Sequence, residues 1–267
     1  MRLTNPDPAE HWASTLSSWG IPQHILDQAP QSPWIHPVQT FRPDGNLYVE
    51  TPSRLRALET LNALGEGVER SVLDVGCGGG RAAFGLTPPA TRVVGVDHQQ
   101  AMLDVFSDEA ARRGLSCTTV LGDWPDVQAQ TPTCAVVTCH HVFYNVGAPV
   151  PFVRALTDHA TNRVVVELPQ THPLAVLSPM WAHFWGLERP LSPTASDALE
   201  VVRSVGIDAH LELFEVSSLP KPVTDEDVEF TRIRLCLQPS RDAEVRSYLE
   251  AHPVTGRSLA TLWWDVS

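Results

Sequence analysis

One segment restricts the fold of this 267-residue chain more than any other, the run Val72-Leu73-Asp74-Val75-Gly76-Cys77-Gly78-Gly79-Gly80. Its first four residues are mostly apolar, and glycines end the run, so a short buried strand is expected. The glycines at 76, 78 and 80 allow a tight turn that passes close to a ligand, where a Cβ would collide. Residues 81–86 can open a helix, so the ligand is expected at its N-terminus. A strand with an ordinary glycine-rich turn is the alternative.

Two classes of nucleotide-binding turn have a related spacing. The dinucleotide pattern G-x-G-x-x-G, aligned on Gly76 and Gly78, needs a third glycine where Arg81 stands. The pattern D-x-G-x-G-x-G fits at each fixed position from Asp74 to Gly80. The segment therefore resembles motif I of the class I S-adenosylmethionine-dependent methyltransferases, and this resemblance implies S-adenosylmethionine as cofactor. A nicotinamide-dependent oxidoreductase is the less favoured alternative.

Strand-like and helix-like segments alternate after residue 70, which predicts an α/β fold with a doubly wound sheet. The five expected parallel strands are residues 72–75, 92–97, 116–121, 134–139 and 163–168. The expected helices of this region are residues 99–113, 150–159 and 194–205. Residues 210–216 and 229–237 read as two further strands without a full helix between them, so an antiparallel C-terminal hairpin is expected. This order is similar to the seven-stranded, mostly parallel methyltransferase sheet.

Two aromatic segments lie outside that order. Residues 1–53 form an expected N-terminal helical extension, with helices near 8–19 and 22–28, and residues 54–267 form the main domain. An insertion at about 170–193 follows the fifth strand. Both segments flank the strand ends at which an open α/β sheet binds its ligand, so they are expected to form a substrate lid. The alternative is that their aromatic side chains only pack the extensions onto the core. A helix is also expected at 241–251, and a strand at 259–264 has no assigned place.

The balance of charge restricts the partners of the chain. The 19 Lys and Arg residues and 31 Asp and Glu residues give a net charge of −12. Such a field repels polyanions, so neither nucleic acid nor an anionic membrane is expected as a partner. The N-terminus lacks the apolar core of a secretory signal, and no apolar run has the length of a membrane span. We therefore expect a cytoplasmic protein that acts on a small molecule, and its oligomeric state stays open.

The cysteines and histidines do not form a metal-binding pattern. No two of the five cysteines have C-x-x-C spacing, so neither a zinc site nor a disulfide framework is indicated. A cluster of His140, His141 and Glu167 at one sheet end, with His172 and His183, is conceivable. Adjacent histidine side chains diverge, however, and no H-x-x-x-H or H-E-x-x-H helix exists. No metal is expected.

Two acids after the glycine run fit the same cofactor. Asp97 ends the second strand, where the resemblance implies that its carboxylate accepts hydrogen bonds from both ribose hydroxyls. Capping of the following helix is the alternative. Asp123 follows the third strand, and the resemblance implies a contact with the adenine amino group. An ordinary polar turn is the alternative there. The expected cofactor-binding residues are Asp74, Gly76, Cys77, Gly78, Gly80, Asp97, His98, Met102, Asp123, Trp124 and His140.

The fourth strand ends in two histidines that offer a base. Methyl transfer from a sulfonium is an in-line displacement, so orientation and desolvation of the nucleophile supply much of the rate. A hydroxyl or phenol acceptor also benefits from a base that titrates near neutrality, as histidine does. We expect His141 as this base, His140 as a cofactor contact, and Tyr144 as a further catalytic candidate. A purely structural role for both histidines is the alternative.

These observations predict an S-adenosylmethionine-dependent methyltransferase that modifies an O, N or C nucleophile of a small molecule. The alternative from a different class is a regulatory module that binds the cofactor without catalysis. Cofactor binding with turnover distinguishes the first from the second.

Overall fold

Seven strands form one mixed sheet in the computed structural model, which describes residues 7–34, 48–217, 219 and 221–266. The strands are β1 (Ser71–Val75), β2 (Arg92–Asp97), β3 (Ser116–Leu121), β4 (Cys134–His140), β5 (Ala160–Pro169), β6 (His210–Ser217) and β7 (Gly256–Asp265). Their order is β3-β2-β1-β4-β5-β7-β6, and β7 runs antiparallel to both of its neighbours. The expected doubly wound, mostly parallel sheet is confirmed.

Helices cover both faces of the sheet because successive apolar residues of its central strands point to opposite sides. The α-helices of the described residues are α1 (Pro8–Ser17), α2 (Gln23–Leu26), α3 (Pro52–Ala63), α4 (Arg81–Phe84), α5 (Gln100–Arg112), α6 (Pro149–His159), α7 (Ser178–Trp185), α8 (Ala195–Ser204), α9 (Asp225–Arg234) and α10 (Asp242–Ala251). Leu73 of β1 belongs to the apolar cluster that includes residues of α1, α6 and α8, whereas its neighbour Val72 belongs to the cluster with α3, α4 and α5.

The strand expected at 229–237 is wrong, because most of these residues lie in helix α9. Thr224 and Asp227 form a reciprocal capping box at its start, in which each side chain bonds the backbone of the other. Acids in the first turn and arginines in the last turn suit the helix dipole. The antiparallel partner of β6 is therefore β7, which contains the strand expected at 259–264 and lies between β5 and β6.

A third apolar cluster contains no strand residue. Its buried members are Ile21, Ile25, Met180, Trp181, Val228, Leu235, Cys236, Leu237 and Val245. They come from three stretches of the chain: the N-terminal segment with α2, the insertion after β5 with α7, and the connection between β6 and β7 with α9 and α10. We call this group of helices the helical cap. Two of its stretches leave the sheet at the edge where the parallel strands end.

Residues 1–6 and 35–47 of the expected N-terminal extension lie outside the described residues. Among the described helices, none combines the length and the apolar character that a membrane span requires.

Candidate active site

The glycine turn after β1 is held against β2. The N–H groups of Gly76 and Cys77 both donate to the carbonyl of Val96, at 2.8 and 3.0 Å. The φ angles of 69° at Gly76, 49° at Gly78 and 90° at Gly80 lie in the left-handed region that favours glycine. A Cβ added at Gly76 would overlap Cγ2 of Val142, in the loop after β4. The sequence therefore keeps this turn free of side chains at its closest approach to the neighbouring loop.

Asp74 fixes the turn from below. Its Oδ1 accepts a hydrogen bond from the Thr138 hydroxyl at 3.0 Å, and its Oδ2 accepts one from the Ala83 N–H at 3.2 Å. The side chain is buried, and this burial raises the pKa of the Asp74 carboxyl to about 7, although both hydrogen bonds oppose the shift. Asp74 thus ties β1, β4 and α4 together beneath the turn.

Asp97 joins the glycine turn to helix α5. Its Oδ2 accepts from the Gly78 N–H and its Oδ1 from the Gln99 N–H, both at 2.9 Å. Capping of the following helix accounts for the Gln99 contact but not for the contact with Gly78. Each carboxylate oxygen keeps a further lone pair for a ligand hydroxyl. The exposed His98 lies beside this carboxylate, with Nδ1 3.7 Å from Oδ1.

The residues expected around the adenine differ in their surroundings. Asp123, the second residue after β3, is exposed, and Met102 of α5 is buried. Trp124 turns inward and packs edge-on against His159, with ring centroids 4.9 Å apart. Its buried Nε1 has no hydrogen-bond partner among the described groups. The structure therefore presents the Asp123 carboxylate to solvent and uses much of Trp124 to support the loop.

The two histidines at the end of β4 share one carboxylate. Glu167 lies opposite His140 in the β4–β5 ladder, and its Oε1 is 3.4 Å from Nε2 of His141. The His141 N–H donates to the Glu167 carbonyl at 2.7 Å, which holds His141 at a φ of 61°. Such a left-handed backbone is uncommon for a residue with a side chain, and it turns His141 out of the strand direction. The His141 side chain is 41% exposed, so a ligand can reach it.

Glu167 is buried yet ionised. Burial opposes its charge, but the nearby histidines and a hydrogen bond from the Ser53 hydroxyl outweigh this effect and hold the pKa of the carboxyl below its ordinary value. Burial also lowers the pKa of His140, although the charge of Glu167 opposes this shift. Its buried Nε2 has no hydrogen-bond partner among the described groups. Sequence reasoning placed Glu167 at this sheet end but did not pair it with His141.

Tyr144 is held by backbone contacts. Its hydroxyl donates to the Pro169 carbonyl at 2.9 Å, and burial raises the pKa of this phenol far above its ordinary value. Trp12 of α1 stacks on the Tyr144 ring and donates from Nε1 to the Val146 carbonyl at 2.9 Å. The N-terminal segment therefore supports the loop that carries the histidines.

A second contact joins the N-terminal segment to the insertion after β5. Trp19 stacks on His172 with ring centroids 4.0 Å apart and donates from Nε1 to the Ser192 carbonyl at 2.6 Å. Arg189 lies between the rings of Trp19 and Trp181, with its guanidinium carbon 5.3 Å from each centroid. Burial, followed by the charge of Arg189, lowers the pKa of His172 to about 4. The two segments expected to form a lid are thus locked to each other.

Metal ligands are not gathered at this edge. Within the described ranges, no three His, Cys, Asp or Glu side chains are placed to hold a metal ion. His172 packs on Trp19, and His183 lies beside Tyr248 in the helical cap, with ring centroids 5.0 Å apart. All five cysteines are free thiols.

Comparison with known sequences identifies a methyltransferase domain. A family model described as "Methyltransferase domain" matches residues 72–161, from β1 into β5. A ubiquinone biosynthesis O-methyltransferase from Coxiella burnetii is 27% identical over 121 residues. That match covers 45% of this chain and 49% of the relative. The chain therefore spans about half the length of the curated relatives that it matches.

Two solved structures share the fold at low sequence identity. The YcgJ protein of Bacillus subtilis superposes with a TM-score of 0.53 at 14% identity, over 80% of this chain and 97% of that chain. Magnesium protoporphyrin IX methyltransferase from Synechocystis PCC 6803, solved with bound SAH, gives a TM-score of 0.50 at 18% identity, over 80% of this chain and 82% of that chain. Residues 72–161 thus match a methyltransferase domain, and the order of the strands together with these likenesses shows the Rossmann-like methyltransferase fold.

Proposed function

We propose that this chain transfers the methyl group of S-adenosylmethionine to a hydroxyl oxygen of a small-molecule acceptor, with His141 as the general base. One observation carries the choice of oxygen: a histidine paired with a buried, ionised carboxylate lies at the strand ends beside the glycine turn. Of the common acceptor atoms, a hydroxyl gains most from such a base, because it is a weak nucleophile until its proton is removed. The printed name of the Coxiella relative, an O-methyltransferase, supports the same choice.

The residues present fit S-adenosylmethionine. The glycine turn has the backbone angles that a close ligand requires, and a side chain at Gly76 would collide with the neighbouring loop. Asp97 offers carboxylate lone pairs for the ribose hydroxyls, and Asp123 is exposed at the next strand end for the adenine amino group. When bound, the cofactor supplies an activated methyl group on a sulfonium. The remaining residues proposed to contact it are Asp74, Cys77, Gly78, Gly80, His98, Met102, Trp124 and His140.

The role proposed for His141 follows from its two ring nitrogens. Nε2 faces the Glu167 carboxylate, so it carries a proton in the neutral ring and leaves Nδ1 as the acceptor. Nδ1 takes the acceptor's hydroxyl proton as the oxygen–methyl bond forms and the carbon–sulfur bond breaks. Glu167 stabilises the imidazolium that results. Tyr144, whose hydroxyl is bonded to the Pro169 carbonyl, has a supporting role in this proposal.

The helical cap is proposed to close over the acceptor. Two of its stretches leave the sheet at the edge where the histidines lie, and the Trp19–His172 stack joins the N-terminal segment to it. Exclusion of water by such a cover would desolvate the acceptor oxygen.

A pair of probe acceptors tests the base. We expect methylation of catechol by wild-type protein, and a loss of about 100-fold or more in kcat for His141→Ala, in line with the usual contribution of a general base. 4-Nitrocatechol is already ionised at pH 8, so with this acceptor the same variant should lose much less of its kcat. His24→Ala removes an exposed histidine of the cap and serves as the control.

Calorimetry with S-adenosylhomocysteine separates the possible failures. Absence of binding at millimolar ligand would contradict the cofactor assignment. Binding without turnover on any hydroxyl acceptor would favour the regulatory module instead. An equal loss on both catechols in His141→Ala would remove the base from the proposal and leave the cofactor assignment in place.

A further inference from the structure

Beneath the His141–Glu167 pair lies a buried chain of two hydroxyl groups. Ser53 is the second residue of α3, and Thr261 is the residue of β7 directly opposite Glu167 of β5. Their Oγ atoms are 2.6 Å apart, and both residues are at most 1% exposed. Because Thr261 faces Glu167 across the ladder, the Ser53 hydroxyl also lies near the Glu167 carboxylate, whose charged form it stabilises as a donor. His141 directly after β4, Glu167 of β5, Ser53 of α3 and Thr261 of β7 thus form one row of neighbouring polar groups.

The direction of each bond in this row follows from a count of protons. An ionised carboxylate can only accept hydrogen bonds, so Ser53 must donate its single hydroxyl proton to Glu167. The short contact between the two hydroxyls then has Thr261 as donor and Ser53 as acceptor. Helix α3 also begins here, and the partial positive charge of a helix N-terminus favours a nearby carboxylate. Every polar group in the row is therefore arranged to favour the negative charge on Glu167.

We propose that Ser53 and Thr261 are positioning residues for methyl transfer. Through the two hydrogen bonds they fix the orientation of the Glu167 carboxylate, and through Glu167 they orient His141. This inference rests on the proposed function, because it assigns the row to the base of that reaction. Packing alone needs no polar group at either position, since an isosteric valine fills the same space as Thr261. Burial of two hydroxyls costs free energy unless they are bonded, and here both bonds lead to one carboxylate.

Chemical modification of His141 measures this effect without an acceptor. Diethylpyrocarbonate acylates the unprotonated ring nitrogen, and peptide mapping by mass spectrometry gives a rate for each histidine. We expect Ser53→Ala and Thr261→Val to slow the modification of His141 by roughly three- to tenfold, because a mobile carboxylate no longer activates the imidazole. Glu167→Gln sets the limit for complete loss. The exposed His24 and His210 should keep their rates in every variant.

A conservative variant separates positioning from packing. Thr261→Ser keeps the hydroxyl and loses only a methyl group. His141 should therefore be modified at nearly the wild-type rate in Thr261→Ser, but more slowly in Thr261→Val. In the catechol assay, Thr261→Ser should keep nearly the wild-type kcat and Thr261→Val should have a lower kcat. The KM for S-adenosylmethionine should be unchanged in both variants. Circular dichroism checks that each variant is folded.

Two outcomes distinguish the separate failures. If His141 in Ser53→Ala and Thr261→Val reacts at the wild-type rate, the hydroxyls do not position the pair and the inference is overturned. If the modification rates fall in the expected order but His141→Ala methylates catechol at the wild-type rate, the general-base role proposed for His141 is wrong although the row does orient the imidazole.

Discussion

The contact between the glycine turn and the loop after β4 can be tested by a double-mutant cycle. In Gly76→Ala the new Cβ overlaps Cγ2 of Val142, while the other side-chain atoms of Val142 lie at 3.5 Å or more. Two costs should therefore add. A residue with a side chain at a φ of 69° costs about 1–2 kcal/mol. The overlap costs about 1–3 kcal/mol, as overpacking of a folded structure usually does.

Val142→Ala removes the second cost and keeps the first. Only the Cβ of residue 142 then remains near the new methyl group, at 3.5 Å, which is an ordinary van der Waals distance. Val142→Ala alone should destabilise by about 1 kcal/mol, because the side chain is half-buried. We expect Gly76→Ala to destabilise by about 3 kcal/mol. The double variant should be more stable than the sum of the single variants by about 1–2 kcal/mol.

Urea denaturation followed by tryptophan fluorescence measures each free energy of unfolding, since the chain has eight tryptophans. Gly114→Ala is the matched control, because Gly114 has a φ of 66° and an added Cβ there meets no atom within 4 Å. It should show the backbone cost alone, about 1–2 kcal/mol. A coupling energy below about 0.5 kcal/mol would refute the reasoning, because the effects of substitutions at two sites that do not interact add to within about that amount.

Three further predictions concern the cofactor, the cap and the response to pH. Asp97→Ala should weaken binding of S-adenosylhomocysteine at least tenfold in calorimetry, because the carboxylate is the proposed ribose ligand, and unaltered affinity would contradict this. Thr224→Ala removes the capping box of α9 and should cost about 1 kcal/mol in urea denaturation, whereas Ser217→Ala at the end of β6 should cost less. The pKa of His172 is about 4 in the fold and near 6.5 in the unfolded chain, so the unfolded chain binds the extra proton between these values. The contribution of His172 to the free energy of unfolding is fully present above about pH 6.5 and is lost as the pH falls towards 4. His172→Phe should reduce the loss of stability between pH 7 and pH 4 by about 2 kcal/mol, and an unchanged pH dependence would contradict the assignment.

The sequence predicts the sheet from β1 to β5 well, because each strand there is an apolar run bounded by turn residues or a helical pattern. It also orders Asp74, Asp97 and Asp123 at successive strand ends, where the structure has them. These predictions succeed because they depend on local patterns and on the rule that parallel strands end at one edge.

Features that depend on distant pairing were not predictable in the same way. The contact between His141 and Glu167 requires the register of β4 against β5, which no local pattern determines. The hydroxyl row requires in addition that β7 lies beside β5, whereas the sequence predicted residues 229–237 as the antiparallel partner of residues 210–216 and gave 259–264 no place. The capping box at Thr224 and Asp227 is the local signal that could have corrected this error.

The helical cap has an apolar core that shares no residue with the two clusters around the sheet. Changes in free energy at sites without common partners are nearly additive. Under the proposed function, substitutions inside the cap can therefore change the cover over the acceptor while the folding free energy of the cofactor-binding sheet stays almost constant. Such a division lets acceptor preference evolve, or be selected in a library, with little penalty to the site that holds the methyl donor.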